Sequence, residues 1–270
     1  MEKNKFNNIS GLTLVEVLIS IAVSSIMMAA LFTSYNLINK SYNQVMDRAT
    51  ISQASRDFMG MLVKDLRMAG FKAFGDNISA DENHMPIQVL KSQRFGNANG
   101  CCDEMYIVFG DYNYQASPND RFERYAVHYY VEPSEIIDPQ TNAKISTGAL
   151  FKTLHKWNGN DFSPDNCDQC YSRQLLTNYV EDFVIVPINA NGEVIDPAPN
   201  VNNPTEAYDI KVVDILLTFR SKEEFFKTKK ERIITAIGKN AENRKLKKID
   251  KYFRDSVVMT VHTRNIGIEQ

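Results

Sequence analysis

An apolar segment near the N-terminus constrains this chain more than any other feature. Residues 12–32 read LTLVEVLISIAVSSIMMAALF, and Glu16 is the only charged side chain between Phe6 and Asn39. An α-helix of this length spans about 31 Å, which matches the roughly 30 Å thickness of the hydrocarbon core of a bilayer. The segment therefore predicts a helix that crosses a membrane over about residues 12–32.

The residues that precede this segment predict a leader peptide. Residues 1–11 are mostly polar and include Lys3 and Lys5, and a short basic stretch of this kind stays on the cytoplasmic side of the membrane. In an ordinary signal peptide, the cut site follows an apolar run of about 7 to 15 residues. Here the best small-residue position, Gly11, comes before a longer run. Cleavage after Gly11 would therefore keep the apolar helix and make Leu12 the first residue of the mature chain.

Glu16 needs a positive partner or a proton if it lies within a membrane. An acidic side chain at the centre of a membrane-spanning helix costs about 2.5 to 3.5 kcal/mol, and the cost is smaller near a helix end. After cleavage, the cationic amine of Leu12 would lie four residues before Glu16, on the same helix face. We therefore interpret Glu16 as the partner of an N-terminal amine. The alternative is a glutamate that is tolerated at the membrane interface without a task.

An apolar pattern of helical period continues beyond the membrane segment. No proline occurs before Pro86, and Gly70 is suited to the left-handed conformation that closes a helix. We therefore predict one long helix over residues 12–70, whose second half packs against a folded domain or other helices. The positions that carry the pattern are Leu31, Tyr35, Ile38, Tyr42, Val45, Ala49, Phe58, Leu62, Leu66 and Ala69.

The remaining residues, 71–270, predict a β-rich domain. Short runs rich in Val, Ile, Tyr and Phe alternate with polar connections that contain proline. An antiparallel sheet packed on the second half of the long helix is the simplest architecture, so the predicted fold class is α+β. The predicted strands are 104–109, 125–131, 179–188, 212–219 and 257–263.

Four cysteines, Cys101, Cys102, Cys167 and Cys170, lie on the translocated side of the membrane in this topology. An oxidising compartment favours disulfides, but four cysteines allow three pairings, among which the sequence does not decide. Cys167 and Cys170 could instead form a redox pair, although the βαβ setting typical of such pairs is missing. Zinc is the least favoured alternative, because adjacent cysteines suit two ligands of one tetrahedron poorly.

One loop of the β-rich domain is crowded with Asp and Asn. Asp161, Asp165 and Asp168 are candidate ligands for calcium, which prefers oxygen atoms. The EF-hand spacing is absent, and Asp and Asn are also the residues that favour turns. We therefore expect turns in this loop, with calcium binding as the alternative, and the sequence indicates no cofactor.

Residues 222–251 form a basic segment between two predicted strands. Eleven Lys or Arg and five Asp or Glu give it a net charge of +6, whereas the formal net charge of the whole chain is −2. The net charge of the whole chain therefore does not favour binding to nucleic acid or to an anionic membrane, and any such binding would depend on a local cluster of basic residues. We expect a solvated helical or flexible insertion, with contact to DNA or to an acidic neighbouring subunit as the alternative.

Catalysis finds little support in the sequence. The histidines at positions 84, 128, 155 and 262 are scattered, and neither a G-x-S-x-G motif nor a phosphate-binding glycine pattern occurs. We therefore expect that the protein is not an enzyme.

The N-terminus resembles the leader of type IV prepilins and of type II secretion pseudopilins. In that family a short charged leader ends in Gly, and a hydrophobic residue, Thr, Leu, Val and Glu open a long apolar helix. Gly11 and residues 12–16 fit this pattern. Two later parts of the chain are similar to minor pilins of the PilW type. These are the helix end, with Arg56-Asp57-Phe58, Asp65-Leu66-Arg67 and Ala69-Gly70-Phe71, and the chain end, with Thr263-Arg264-Asn265-Ile266.

This resemblance implies how the chain is processed. A prepilin peptidase would cleave after Gly11 and methylate the amine of Leu12. Before assembly, the helix would remain inserted in the inner membrane, with the C-terminal domain in the periplasm. An inner-membrane assembly platform would extract it and bundle it with other minor and major pilins, with Glu16 paired to the amine of a neighbour.

The function implied by the resemblance is that of a structural minor pilin that initiates or caps a type IV pilus. A minor pseudopilin of type II secretion, related to GspJ, is the near alternative. A membrane-anchored periplasmic redox or binding protein is the alternative from another class.

Overall fold

The computed structural model describes residues 13–72, 84–91, 101–118, 121–138, 142–165, 167–239 and 245–266. The chain divides between Asp47 and Arg48 into two compact units. The first unit contains the N-terminal part of a long helix, and the second contains the rest of that helix and the strands. The fold class predicted from the sequence, a long N-terminal helix followed by an antiparallel β-sheet domain, is confirmed.

Helix α1 spans Leu14–Met68. It ends where Gly70 adopts the left-handed conformation that the sequence predicts, with φ of +74°. The N–H of Gly70 donates to the carbonyl of Val108 over 2.8 Å, and a Cβ at this position would lie 3.1 Å from the Cβ of Pro86. Gly70 therefore closes the helix and also allows the chain to pass close to its neighbours.

The second unit is built around one antiparallel sheet and a separate hairpin. The strands are β1 Ile87–Leu90, β2 Glu104–Tyr112, β3 Phe122–Pro133, β4 Gly148–Trp157, β5 Phe162–Ser163, β6 Tyr171–Ile188, β7 Val212–Glu224, β8 Lys230–Ile234, β9 Leu246–Asp250 and β10 Tyr252–His262. The strand order in the sheet is β1-β2-β3-β4-β6-β7-β10, with β5 paired to β4 outside this path. The hairpin consists of β8 and β9, and all these pairs are antiparallel.

The core of the second unit lies between the C-terminal part of α1 and the sheet. Phe58 of α1 is almost fully buried, and its ring meets the rings of Tyr129 and Phe183 edge-on, with centroid distances of 5.9 Å in both cases. Full burial of such a side chain contributes about 1.5 to 3 kcal/mol. The same core contains Ile51, Leu62 and Leu66 of α1 at helical spacing, and Ala69 directly after the helix.

The edge of β6 beyond its pairing with β4 is covered by the segment that precedes β2. The N–H of Asp103 donates to the carbonyl of Phe183 over 2.7 Å. Oδ2 of Asp103 accepts from the N–H of Ile185 over 2.9 Å and from Nζ of Lys91 over 3.0 Å. Lys91 also donates to the carbonyl of Ile185. Because Asp103 is fully buried, these contacts protect an edge that would otherwise offer free backbone groups.

The structure contains strands that the sequence pattern did not predict. All five predicted strands are present, and β1, β4, β5, β8 and β9 are strands that the sequence analysis did not predict. At Gly148, the first residue of β4, a Cβ would collide with Cγ1 of Val131 on the neighbouring strand, so this position requires glycine. In the basic segment, residues 222–224 extend β7, and Lys230–Ile234 and Leu246–Asp250 form β8 and β9, so a helical structure is wrong for these residues.

Candidate functional site

The first turn of α1 joins Thr13 and Glu16 in a reciprocal pair. The N–H and the Oγ1 of Thr13 donate to Oε2 of Glu16 over 2.9 Å and 2.8 Å, and the N–H of Glu16 donates to Oγ1 of Thr13 over 3.4 Å. This arrangement is a capping box, which satisfies N–H groups at the start of a helix. The carboxylate also lies at the positive end of the helix dipole, where a negative charge is favourable. Glu16 therefore has a structural partner within its own helix.

The sequence contains a signal for this pair that the interpretation of Glu16 did not use. A Thr followed three residues later by Glu, at the start of an apolar run, is typical of a capping box. The interpretation considered only the amine of Leu12 as a partner for the carboxylate. Gly11 and Leu12 lie outside the described residues, so cleavage, methylation and the pairing of Glu16 with an amine stay predictions.

The large apolar side chains of α1 that lie in the first unit are exposed. By length and composition, α1 is able to cross a membrane. Oγ of Ser20 donates to the carbonyl of Glu16 over 2.7 Å, and Ser25 and Thr33 each donate over 2.8 Å to the carbonyl four residues earlier. A helix in a medium without water needs such internal partners. The exposed side chains include Leu14, Val15, Leu18, Ile19, Ile21, Ile26, Leu31 and Phe32.

Each cysteine is paired with the cysteine nearest to it in the sequence. Cys101 is joined to Cys102 and Cys167 to Cys170, which is one of the three pairings that the sequence leaves open. The Cα atoms of Cys167 and Cys170 are 5.3 Å apart, within the usual range for a disulfide. Within the described ranges, one group of three potential metal ligands occurs, formed by Cys101, Cys102 and Asp182. Its two sulfur atoms are bonded to each other.

The candidate calcium ligands take part in local turns. Oδ1 of Asn158 accepts from the N–H of Asp161 over 2.8 Å, and Oδ2 of Asp165 accepts from Oγ of Ser163 over 2.7 Å. In the part of the chain that the structure describes, Asp161, Asp165 and Asp168 do not gather within ligand distance of one another. The turns expected from the sequence are therefore present in this loop.

The basic segment is fixed to the sheet by a buried ionic group. Arg254 of β10 donates to both carboxylate oxygens of Asp250 over 2.7 Å and to Oε1 of Glu181 over 3.0 Å. The hydrogen bonds from Arg254 hold the pKa of the Asp250 carboxyl below its ordinary value. Glu181 is itself buried, so the end of β9 is held against β6 and β10 by charge-assisted contacts.

Comparisons with known proteins identify the N-terminal segment. A family model described as the prokaryotic N-terminal methylation motif matches residues 6–32. Among solved structures, a type IV-like pilin from Thermus thermophilus is similar, with 13% identity, a TM-score of 0.49 and coverage of 80% of this chain and 96% of that chain. No curated protein matches the chain. The chain thus carries the prepilin-type methylation motif, and that motif includes Gly11, Leu12 and Glu16.

Proposed function

We propose that this protein is a structural minor pilin of the PilW type, which takes part in initiating or capping the assembly of a type IV pilus. The observation that carries the proposal is the methylation motif over residues 6–32. It coincides with an exposed apolar helix that is able to cross a membrane, as a pilin subunit requires before assembly. The β-rich second unit is the part that such a subunit would present outside the membrane.

The proposed pathway begins with the prepilin peptidase. The peptidase cleaves after Gly11, methylates the amine of Leu12 and leaves the subunit in the bacterial inner membrane, with the β-rich domain in the periplasm. Disulfides in that domain are compatible with an oxidising compartment. The assembly platform then extracts the subunit and packs its helix among those of other minor and major pilins.

Glu16 has two tasks in this pathway. In the single subunit, Thr13 holds Oε2 of Glu16 and so orders the start of α1. In the filament, the carboxylate pairs with the methylated amine of a neighbouring subunit, since methylation leaves that amine cationic. The pair becomes stronger as both groups lose water, and the loss of one partner leaves an uncompensated charge.

The mass of the N-terminus tests the proposal. We expect the native protein to lack residues 1–11 and to carry one methyl group on Leu12. Gly11→Ala should leave the full precursor in the inner membrane, whereas Ser10→Ala, which keeps the cleavage glycine, should be processed normally. An intact and unmethylated N-terminus would indicate a membrane-anchored periplasmic protein instead.

The machine in which the subunit works needs a separate measurement. A minor pseudopilin of type II secretion would undergo the same cleavage and methylation. Deletion of the gene should abolish or reduce surface pili while secretion of folded proteins continues. The reverse pattern would assign the chain to a secretion machine.

A further inference from the structure

Strand β10 forms one end of the sheet. It pairs with β7 on one side, and within the described ranges no strand pairs with its other side, which we call the β10 edge. The strand is eleven residues long. The opposite end of the sheet is different, because β1 has only four residues and the N–H of Val89 donates to the carbonyl of Pro199 over 2.8 Å. The β10 edge is therefore a long strand edge without a neighbour.

The hydrogen bonds at the end of β10 show which of its backbone groups point outwards. The N–H of Thr263 donates to the carbonyl of Lys211 over 3.0 Å, one position beyond the pair of His262 with Val212. Hydrogen-bonded and non-hydrogen-bonded pairs alternate in an antiparallel ladder, so every second residue of β10 directs its N–H and C=O away from β7. These residues are Ser256, Val258, Thr260 and His262.

The ladder between β6 and β7 gives the same alternation. Pro187 of β6 has no N–H, and its carbonyl accepts from the N–H of Ile195 over 3.0 Å, so its pair with Val213 of β7 is not hydrogen-bonded. Val213 therefore turns its backbone groups towards β10, where its partner is Val261. Val261 thus uses its N–H and C=O within the sheet, and its two neighbours in the strand direct theirs outwards.

The β10 edge lacks the features that usually prevent strands of different molecules from pairing. From Asp255 to His262 the sequence is DSVVMTVH, which contains neither lysine nor proline. The register shift in the pairing with β7 lies before this stretch, between Tyr252 and Arg254. The side chains of the outward residues are exposed, and Val258 is 58% exposed. An edge of this kind is a template for a further strand.

The sequence of the β10 edge is complementary to itself. If two copies of β10 lie antiparallel about a two-fold axis at Val258, this valine meets Val258 of the second copy. Ser256 then lies opposite Thr260, and on the other face Val257 lies opposite Met259. Hydroxyl groups meet hydroxyl groups, apolar side chains meet apolar side chains, and no like charges are opposed between residues 255 and 261. The outward residues of the two copies exchange about six backbone hydrogen bonds.

We propose that the β10 edge pairs with the β10 edge of a second copy of this chain, antiparallel about Val258, so that the two sheets become continuous. A two-fold axis is the commonest symmetry of homodimers, and here each copy satisfies the outward backbone groups of the other. The inference goes beyond the proposed function and does not depend on it, because the edge lies within the second unit. A strand from a different protein and association through the apolar helix are the alternatives that the test distinguishes.

Cysteine cross-linking tests the register. The chain has no free cysteine, so the Val258→Cys variant of the full chain in detergent micelles carries a single thiol. The axis places the two Cα atoms of residue 258 about 5.5 Å apart, within the range for a disulfide. We expect mild oxidation with copper phenanthroline to give a covalent dimer, in which peptide mapping finds residue 258 linked to residue 258.

The matched control for cross-linking is His262→Cys. This residue is exposed and belongs to the same edge and the same face as Val258. In the proposed register the two copies of residue 262 lie about 27 Å apart along the strands, so they should not be linked.

Variants of the edge test the strength of the pairing. Val258→Pro removes an outward N–H but no hydrogen bond to β7, so the domain should still fold, and Val258→Lys places two ammonium groups opposite each other. Both variants should raise the Kd of the dimer by about tenfold or more, measured by sedimentation equilibrium of the full chain in density-matched micelles. Val201→Lys, at a valine of the same unit that is 50% exposed, should leave the Kd unchanged. Circular dichroism verifies that each variant is folded.

The pairing of two copies would be overturned by a wild-type chain that stays monomeric at every soluble concentration, or by His262→Cys that cross-links as well as Val258→Cys. A dimer that tolerates both Val258→Pro and Val258→Lys would overturn it as well, and would assign dimerisation to the apolar helix. In cells that express Val258→Cys, a cross-linked product that contains another protein instead of a second copy would assign the edge to a different partner.

Discussion

The phenolic hydroxyl of Tyr129 donates a hydrogen bond of 2.5 Å to Oδ2 of Asp65, and so joins strand β3 to helix α1 inside the second unit. The same carboxylate oxygen lies 2.7 Å from Nζ of Lys152 on β4. Asp65 and Tyr129 are buried, and the side chain of Lys152 is only 12% exposed. One helical carboxylate therefore connects two strands and satisfies an ammonium group that has little access to water.

Removal of this carboxylate should destabilise the domain strongly. Asp65→Ala leaves Lys152 as a nearly buried cation without its partner, so we expect a loss of about 3 to 5 kcal/mol in the free energy of unfolding. Tyr129→Phe removes one hydrogen bond to a charged group and should cost about 1.5 to 3 kcal/mol. Urea unfolding of the purified full chain in detergent measures both. A cost for Asp65→Ala below that of Tyr129→Phe would contradict the central role of the carboxylate.

Alkaline pH should weaken the fold through the same tyrosine. Burial, and then the neighbouring Asp65 carboxylate, raise the pKa of Tyr129, while burial followed by the hydrogen bond to Glu123 raises the pKa of Tyr125 to about 12. An unfolded tyrosine loses its proton near pH 10. Above that pH the unfolded chain binds fewer protons than the folded chain, so stability falls as pH rises and is unaffected by these groups at lower pH.

The slope of stability against pH above pH 10 tests this linkage. The slope is proportional to the difference in bound protons between the folded and the unfolded chain. Tyr129→Phe should lower that difference by up to one proton, which makes the slope shallower by about 1.4 kcal/mol per pH unit. Tyr114→Phe alters a tyrosine that is 83% exposed and should leave the slope as it is. Equal slopes for the wild-type chain and the Tyr129→Phe variant would show that Tyr129 does not carry the effect.

The sequence predicts the parts of this fold that depend on local pattern. The period of α1, its stop at Gly70 and the five predicted strands are properties of neighbouring residues, and all of them occur in the structure. The link between Asp65 and Lys152 joins positions that lie far apart in the chain, and no local signal pairs them. β4 was not predicted, and the close approach of Gly148 to Cγ1 of Val131 joins two positions that no local pattern pairs.

For the candidate site, too, the sequence predicts some features and not others. Glu16 was identified from its isolation in an apolar run, but its bond to Thr13 was missed although the signal is local. The strands of the β8–β9 hairpin were not predicted, because lysines and glutamates obscure the alternation that Ile233 and Ile249 mark. The pairing in β8–β9 was needed to show that Ile233 and Ile249 lie on one face.

The disulfide between Cys167 and Cys170 should contribute modestly to stability. It closes a loop of only four residues, so the entropy removed from the unfolded chain corresponds to about 2 kcal/mol. We expect the double variant Cys167→Ser and Cys170→Ser to lose about that amount in urea unfolding. Peptide mapping without reduction should find these two cysteines in one linked pair. A peptide that joins either of them to Cys101 or Cys102 would contradict the pairing.

The two tasks proposed for Glu16 can be separated by variants that treat the cap and the charge differently. Glu16→Gln keeps an oxygen that can accept from Thr13 but removes the charge, and Thr13→Val removes the hydroxyl of the cap but keeps the charge. Loss of the threonine cap costs the helix about 0.5 to 2 kcal/mol, which a membrane-embedded helix tolerates. If pairing with a neighbour's amine governs assembly, Glu16→Gln and Glu16→Val should both insert into the membrane and enter filaments poorly, whereas Thr13→Val should enter them nearly normally. The ratio of the protein in sheared filaments to that in membranes measures the incorporation of each variant. If Glu16→Gln entered filaments normally while Thr13→Val failed to enter them, the role of Glu16 would belong to the cap alone.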